Sequence, residues 1–161
     1  MIGNDVVDLA LAQKQSNWKR KGYLYKIFTE NEQILIENSE NHNVAVWSLW
    51  SRKEAVYKIL LQLGKSSGYY PKKIVCQDLN VENGIVTFEK EKYYTTTKVT
   101  DDFIYTEAVK EIENFENIKK IKDCQTIYKL NRIPYLKIDN KVHNVSKTHH
   151  GRYLRTIYLN L

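Results

Sequence analysis

The hydrophobic pattern of this chain changes period near residue 73: apolar positions recur mainly at helical spacing before it and alternate, as in half-buried strands, after it. The N-terminus departs from the first half of that rule. "MIGNDVVDL" is short, β-branched and apolar, and predicts a first strand. Asp8, ahead of "LALA", stands where it can cap a short helix. Residues 17–27, "NWKRKGYLYKI", place cations along one side of a second helix. Thr29 and Glu32 have capping-box spacing, so a third helix starts near residue 30. The longest helical pattern runs from Val44 to Leu63. Leu49, Val56, Leu60 and Leu63 form its apolar stripe, and Trp47, Trp50, Glu54, Lys58 and Leu61 lie along a second face. Gly64 is placed to end it.

Beyond residue 73, "KIVCQDLNV", "GIVTFEKEKYYTTTKV" and "DFIYTEAV" are rich in β-branched and aromatic residues, with turn signals at Asn83-Gly84 and Asp101-Asp102. Residues 110–125 are charged and fit either a short helix or an irregular connection, and "IPYLKID" and "RYLRTIYLNL" read as closing strands. Helices early and strands late predict an α+β fold in which an antiparallel sheet packs against a long helix. With 161 residues, 42% of them hydrophobic, and no stretch that reads as a linker, the expectation is one domain over residues 1–161.

Charge narrows the partners. A net charge of +6 favours an anionic partner: nucleic acid, a phosphorylated small molecule or an acidic protein. The twelve tyrosines are scattered and mostly alternate with apolar residues, as strand residues do, which argues against a base-stacking platform and against nucleic acid. No secretory signal pattern and no window near ~20 apolar residues is present. Cys76 and Cys124 are isolated, as free thiols of a reduced compartment are. A cytoplasmic protein without membrane contact is expected.

Three segments carry chemistry. In "GNDVVDL", Asp5 stands inside an otherwise apolar strand, where a carboxylate is costly to bury without a partner. It either hydrogen-bonds to nearby backbone or holds a hard cation such as Mg²⁺. Asp8, three residues on, points to the other face of a regular strand, so the two do not share one ion. In "WSRKEAVYK", Glu54 and Lys58 are one helical turn apart, as in an ordinary surface ion pair worth about 0.3–0.5 kcal/mol. "NVSKTHHGRY" packs Ser146, Thr148, His149, His150 and Arg152 into seven residues; it is either a polar loop or a set of hydrogen-bond donors for phosphate.

Together these segments resemble the 4′-phosphopantetheinyl transferases, in particular the short, holo-acyl-carrier-protein synthase type. Gly3-Asn4-Asp5 is similar to that family's early G-x-D strand motif, Trp50 to Lys58 to its W-x-x-K-E-A-x-x-K helix motif, and Ser146-Lys147-Thr148-His149 to its S-x-S/T-H segment. Residues 80–130 carry no part of the resemblance. It implies a 4′-phosphopantetheinyl transferase-like fold and an enzyme that moves the 4′-phosphopantetheine arm of coenzyme A to a serine of an apo acyl carrier protein, with Mg²⁺ as cofactor. By the same resemblance Asp5 and Glu54 are metal ligands, Glu54 and Lys58 catalytic, and Lys53, Lys58, Ser146 and His149 coenzyme A contacts. The general base is Glu54 or a water. An acidic carrier protein suits a basic enzyme, with Lys14, Lys19, Arg20 and Lys21 as the docking patch, and a homo-oligomer is in keeping with the family. This chain departs from the pattern in having "WSLW" where an arginine is common, Asp8 where glutamate is common, and "SKTHH" with Lys147 in place of the usual apolar residue and a doubled histidine. The rival readings are a basic nucleic-acid-binding module and a catalytically silent relative that binds coenzyme A or a carrier protein.

Overall fold

The structure, a computed structural model, describes residues 1–65, 68–77, 80, 82–121, 126–131 and 133–161. Its elements are β1 (Ile2–Asp8), α1 (Leu9–Gln15), α2 (Tyr23–Ile27), α3 (Glu30–Glu37), α4 (His42–Gln62), β2 (Ile74–Gln77), β3 (Asn83–Phe88), β4 (Glu91–Val99), β5 (Phe103–Val109), β6 (Ile118–Lys120), β7 (Ile127–Leu130), β8 (Ile133–Ile138), β9 (Lys141–His150) and β10 (Tyr153–Leu159). The fold is α+β. Two antiparallel five-stranded sheets run β1-β5-β4-β3-β2 and β6-β10-β9-β8-β7. Among the described residues no helix is long and apolar enough to cross a membrane.

Local chemistry explains most element boundaries. The Asp8 carboxylate caps α1 by accepting from the Ala10 and Leu11 amides. Thr29 and Glu32 form both halves of a capping box on α3. Gly64 adopts φ +66° just past α4, a left-handed stop that glycine makes without strain. Asp101-Asp102 is the β4–β5 turn, as expected.

Three readings are corrected, and one left open is resolved. The helix expected over 17–27 shrinks to Tyr23–Ile27, because Gly22 at φ 81° interrupts the right-handed backbone. Asn83-Gly84 belongs to β3; the turn is displaced to Asn80, whose Oδ1 accepts the amides of Glu82 and Asn83, and a second turn at Glu89 separates β3 from β4. "NVSKTHH" is a strand, not a loop. Residues 112–117 form a 3-10 turn leading into β6, whereas Cys124 lies outside the described residues.

The core lies between α4 and the first sheet, where Ala55, Val56, Ile59 and Leu60 pack with Val86, Tyr93, Ile104 and Ala108. Burial of each large aliphatic contributes about 1.5–3 kcal/mol. Ile2, Val109, Ile157 and Leu159 make a smaller apolar contact joining the two sheets.

A stripe of α4, polar Ser51, Lys58 and Gln62 with the small Ala55 between them, runs along β1 at spacings of four, three and four. Gln62 accepts from Ile2 N and donates to Ile2 O, while Lys58 Nζ donates to Asn4 O at 2.5 Å. Between them the helix backbone comes so near that a Cβ on Gly3 would stand 1.8 Å from Ala55 O. The glycine of the first motif is thus demanded by this approach.

On its other edge, β1 is sealed by side chains of β9. Ser146 Oγ, Thr148 Oγ1 and His150 Nδ1 accept the amides of Asn4, Val6 and Asp8 at 2.9, 3.2 and 2.9 Å. Their period-two spacing matches the pleat of β9, so three polar side chains replace a sheet neighbour and protect an edge strand.

Candidate active site

β1 and α4, held together in this way, present Asp5 and Glu54 to one cleft of about 350 Å³, walled also by Trp47, Trp50, His149 and His150. A larger hollow of about 610 Å³, between residues 13–19 and 40–43, contains neither Asp5 nor Glu54.

Asp5 breaks the burial of an otherwise buried β1, its side chain 13% exposed to solvent. Its Oδ1 accepts from Thr148 Oγ1 at 3.1 Å and lies 3.6 Å from Lys58 Nζ. Burial raises its pKa, opposed chiefly by the Lys58 charge and the Thr148 hydroxyl. Glu54 is pushed up to about 7, first by burial and then by the negative charge of Asp5, with Lys58 opposing. Two carboxylates therefore repel each other in a cleft with one lysine nearby. Among the described residues no group of three or more His, Cys, Asp or Glu is arranged to hold a metal alone.

Lys58 and Glu54 do not form the surface ion pair that their spacing allows. The Lys58 ammonium, 24% exposed, turns to β1 and pairs with Asp5. Lys53, expected at coenzyme A, is on another side of the helix. It is completely buried 2.8 Å from Glu32 and also donates to Pro71 O and Ile74 O. One residue of helix is about 100° of rotation, which carries Lys53 away from the Glu54 face and toward α3 and β2. Lys53→Met should leave the Glu32 carboxylate buried without its cation and destabilise the fold by about 3–5 kcal/mol in urea unfolding. Glu32→Leu added to it is expected to recover part of that loss.

Ser146 is also displaced from its expected role. It is buried, and its hydroxyl both accepts from Asn4 N and donates to Asn4 Oδ1 at 2.8 Å, so it is engaged within the fold. His149 is exposed and borders the cleft together with Asp5 and Glu54. A smaller hollow of about 180 Å³ next to Lys58 is lined by Ser146 and Lys147. Asp8, by contrast, is an anchor: Arg152 binds it through Nε and Nη2 at 2.9 and 3.1 Å and holds its carboxyl well below the usual range. In the stretch 65–73 that follows α4, Ser66 and Ser67 lie outside the described residues, and Tyr69 packs edge-on against Trp50 and Tyr57 beside Glu54.

Sequence reasoning passed over Thr148 as a partner of Asp5, His150 as a β1 acceptor, and Tyr69. For the first two a signal existed: in "VSKTHH" Ser146, Thr148 and His150 alternate as one face of a strand.

Three solved structures share the fold. The Helicobacter pylori holo-[acyl-carrier-protein] synthase in complex with coenzyme A is 16% identical at a TM-score of 0.54, over 69% of this chain and 100% of that one. The Bacillus anthracis holo-(acyl-carrier-protein) synthase in complex with CoA (3′,5′-ADP) is 18% identical at 0.52, over 66% and 91%. The Thermotoga maritima holo-[acyl-carrier-protein] synthase is 15% identical at 0.53, over 99% and 83%. No curated protein matches the sequence. A family model, the 4′-phosphopantetheinyl transferase superfamily, matches residues 1–130, which includes the 80–130 stretch without recognisable motifs and stops short of β9. Because that match takes in β1, α4 and the whole first sheet, the elements that bring Asp5 and Glu54 to one cleft, this chain belongs to the 4′-phosphopantetheinyl transferase superfamily.

Proposed function

We propose that this enzyme transfers the 4′-phosphopantetheine arm of coenzyme A to a serine hydroxyl of an apo acyl carrier protein, with Mg²⁺, releasing 3′,5′-ADP. The observation that carries the reading is the pair Asp5 and Glu54, delivered by separate elements to one cleft with Lys58 against Asp5. The fold's likeness to synthases crystallised with coenzyme A supports the choice of substrate.

The residues present fit a magnesium ion. Glu54, kept protonated up to about 7 by burial and by Asp5, marks a cleft short of positive charge. Hard carboxylate oxygens suit Mg²⁺, which is commonly held by one or two carboxylates plus substrate phosphates and water. Asp5 and Glu54 would hold the ion, which when bound neutralises charge on the phosphate oxygens.

The serine oxygen of the carrier forms a bond to the phosphorus bearing the pantetheine arm, as the bond from that phosphorus to the departing 3′,5′-ADP breaks. The serine proton passes to a base, for which Glu54 or a water serves. Lys58 stabilises negative charge gathering on the transferring phosphoryl group. With Lys53 in the core and Ser146 engaged by Asn4, contacts to the nucleotide fall to His149 and Lys58. Lys14, Lys19, Arg20 and Lys21 are all exposed, next to Ser16 and Tyr23 of the cleft wall, and suit an acidic carrier surface.

The test is direct. Incubated with coenzyme A, Mg²⁺ and an apo acyl carrier protein, the enzyme should add the mass of one phosphopantetheine arm to the carrier, and chelation should stop it. An unmodified carrier, with coenzyme A still bound, would leave the catalytically silent reading in its place.

A further inference from the structure

Among the described residues, one buried side-chain oxygen or nitrogen has no hydrogen bond: the hydroxyl of Tyr69. Buried polar groups are nearly always paired, so an orphan asks for a reason. The ring is firmly placed. It meets Tyr57 edge-on at 4.9 Å and 65°, and Trp50 at 5.7 Å and 71°. Trp50, Glu54 and Tyr57 are spaced four and three along α4, so the Tyr69 ring spans the turn that carries Glu54. The backbone just beyond is pinned from beneath by Lys53, which donates to Pro71 O and Ile74 O. The hydroxyl thus lies beside the Glu54 carboxyl, within reach of it as a charge and as a hydrogen-bond partner, but without the alignment of a regular hydrogen bond. At neutral pH a tyrosine hydroxyl is an O–H donor, which suits a carboxylate neighbour.

We propose that Tyr69 is a positioning residue for Glu54: its hydroxyl donates to one carboxylate oxygen of the ionised side chain and leaves the other facing the cleft. This rests on the reading of Glu54 as a ligand of the catalytic cation. Carboxylates that ligate metals are themselves usually hydrogen-bonded, and loss of such a partner weakens metal affinity about 10–100-fold. This role also gives Lys53 a use at the site, since its bonds to Pro71 O and Ile74 O fix the backbone that follows Tyr69.

Tyr69→Phe removes a single oxygen and keeps both ring contacts. Mn²⁺ binding to the whole chain, read by calorimetry and electron paramagnetic resonance, should weaken about 10–100-fold. In the transfer assay the metal KM should rise by the same factor, with kcat at saturating metal kept within a few-fold and the melting temperature nearly unchanged. In a Glu54→Gln background, Tyr69→Phe should change nothing further. If the parental chain binds Mn²⁺ in a Glu54-dependent way and Tyr69→Phe binds it equally well, the positioning role is overturned while the proposed function stands. A selective loss of coenzyme A affinity with unchanged Mn²⁺ affinity overturns it as well, by assigning the hydroxyl to the substrate. A parental chain without Glu54-dependent Mn²⁺ binding overturns the metal reading and this inference with it.

Discussion

Asp5→Asn is expected to abolish metal-dependent transfer, lowering turnover by about 10³-fold or more while the fold persists. The substitution keeps the shape of the side chain, and its amide oxygen can still accept from Thr148, so β1 should stay sealed by β9. What is lost is the charge that both attracts a cation and keeps a proton on Glu54. The consequence for pH follows from that proton. Glu54 titrates near 7 in the folded chain and near its ordinary value of 4.5 when unfolded. Between those values the folded chain binds a proton that the unfolded chain has released. The stability contribution of this group is therefore fully present below about 4.5, and is lost as pH rises through about 7. In metal-free buffer the parental melting temperature should accordingly decline over that window. Asp5→Asn removes the second-largest cause of the shift and should flatten the decline. Metal affinity should rise with pH over the same range, because the ion must displace the Glu54 proton. A parental rate in Asp5→Asn, with the carrier protein modified as before, would end the metal assignment.

The helical half of this fold was legible because its signals are local. Asp8, the Thr29–Glu32 capping box and Gly64 each declare a helix end within four residues, and α4 carries its stripe in a single run. The second sheet was harder to read. "NVSKTHH" looks like a loop because its inward-facing residues are polar, and they are polar because they face the bare amides of β1 more than 140 positions away. At the site, Asp5, Glu54 and His149, each singled out from the sequence, border one cleft. It could not separate the two lysines that flank Glu54. Lys53 and Lys58 look alike in the motif, and only the return of Glu32 onto α4 sends one into the core. Glu32 itself was visible as half of a capping box, but its other duties, to Lys53 and to the amide of Cys76, are tertiary. The unpaired hydroxyl of Tyr69 was not legible, since lacking a regular hydrogen bond is a property of packing and not of spacing.

Lys58→Met should reduce turnover by roughly 10²–10³-fold, as removal of one well-placed electrostatic group does in other enzymes. The ammonium donates to Asn4 O and lies 3.6 Å from Asp5, so its loss also unpairs one backbone carbonyl of β1. For a partly exposed group that costs about 1–2 kcal/mol of stability, and the methionine stem retains most of the packing against the helix face. A loss of rate through misfolding and a loss of rate through missing charge are distinguished by the metal. Lys58 is a cation beside the two carboxylates, and it opposes the rise of pKa at both. With both ionised, removing it should leave metal affinity unchanged or stronger, since a competing positive charge has gone. A collapsed site would bind metal worse. The expected pattern is therefore kcat down, metal affinity held or raised, and a modest drop in melting temperature. Lys58→Arg should retain partial activity, because a wide planar fork does not replace a compact ammonium between Asn4 O and Asp5. Transfer at the parental rate in Lys58→Met would reduce this lysine to a structural tie between α4 and β1.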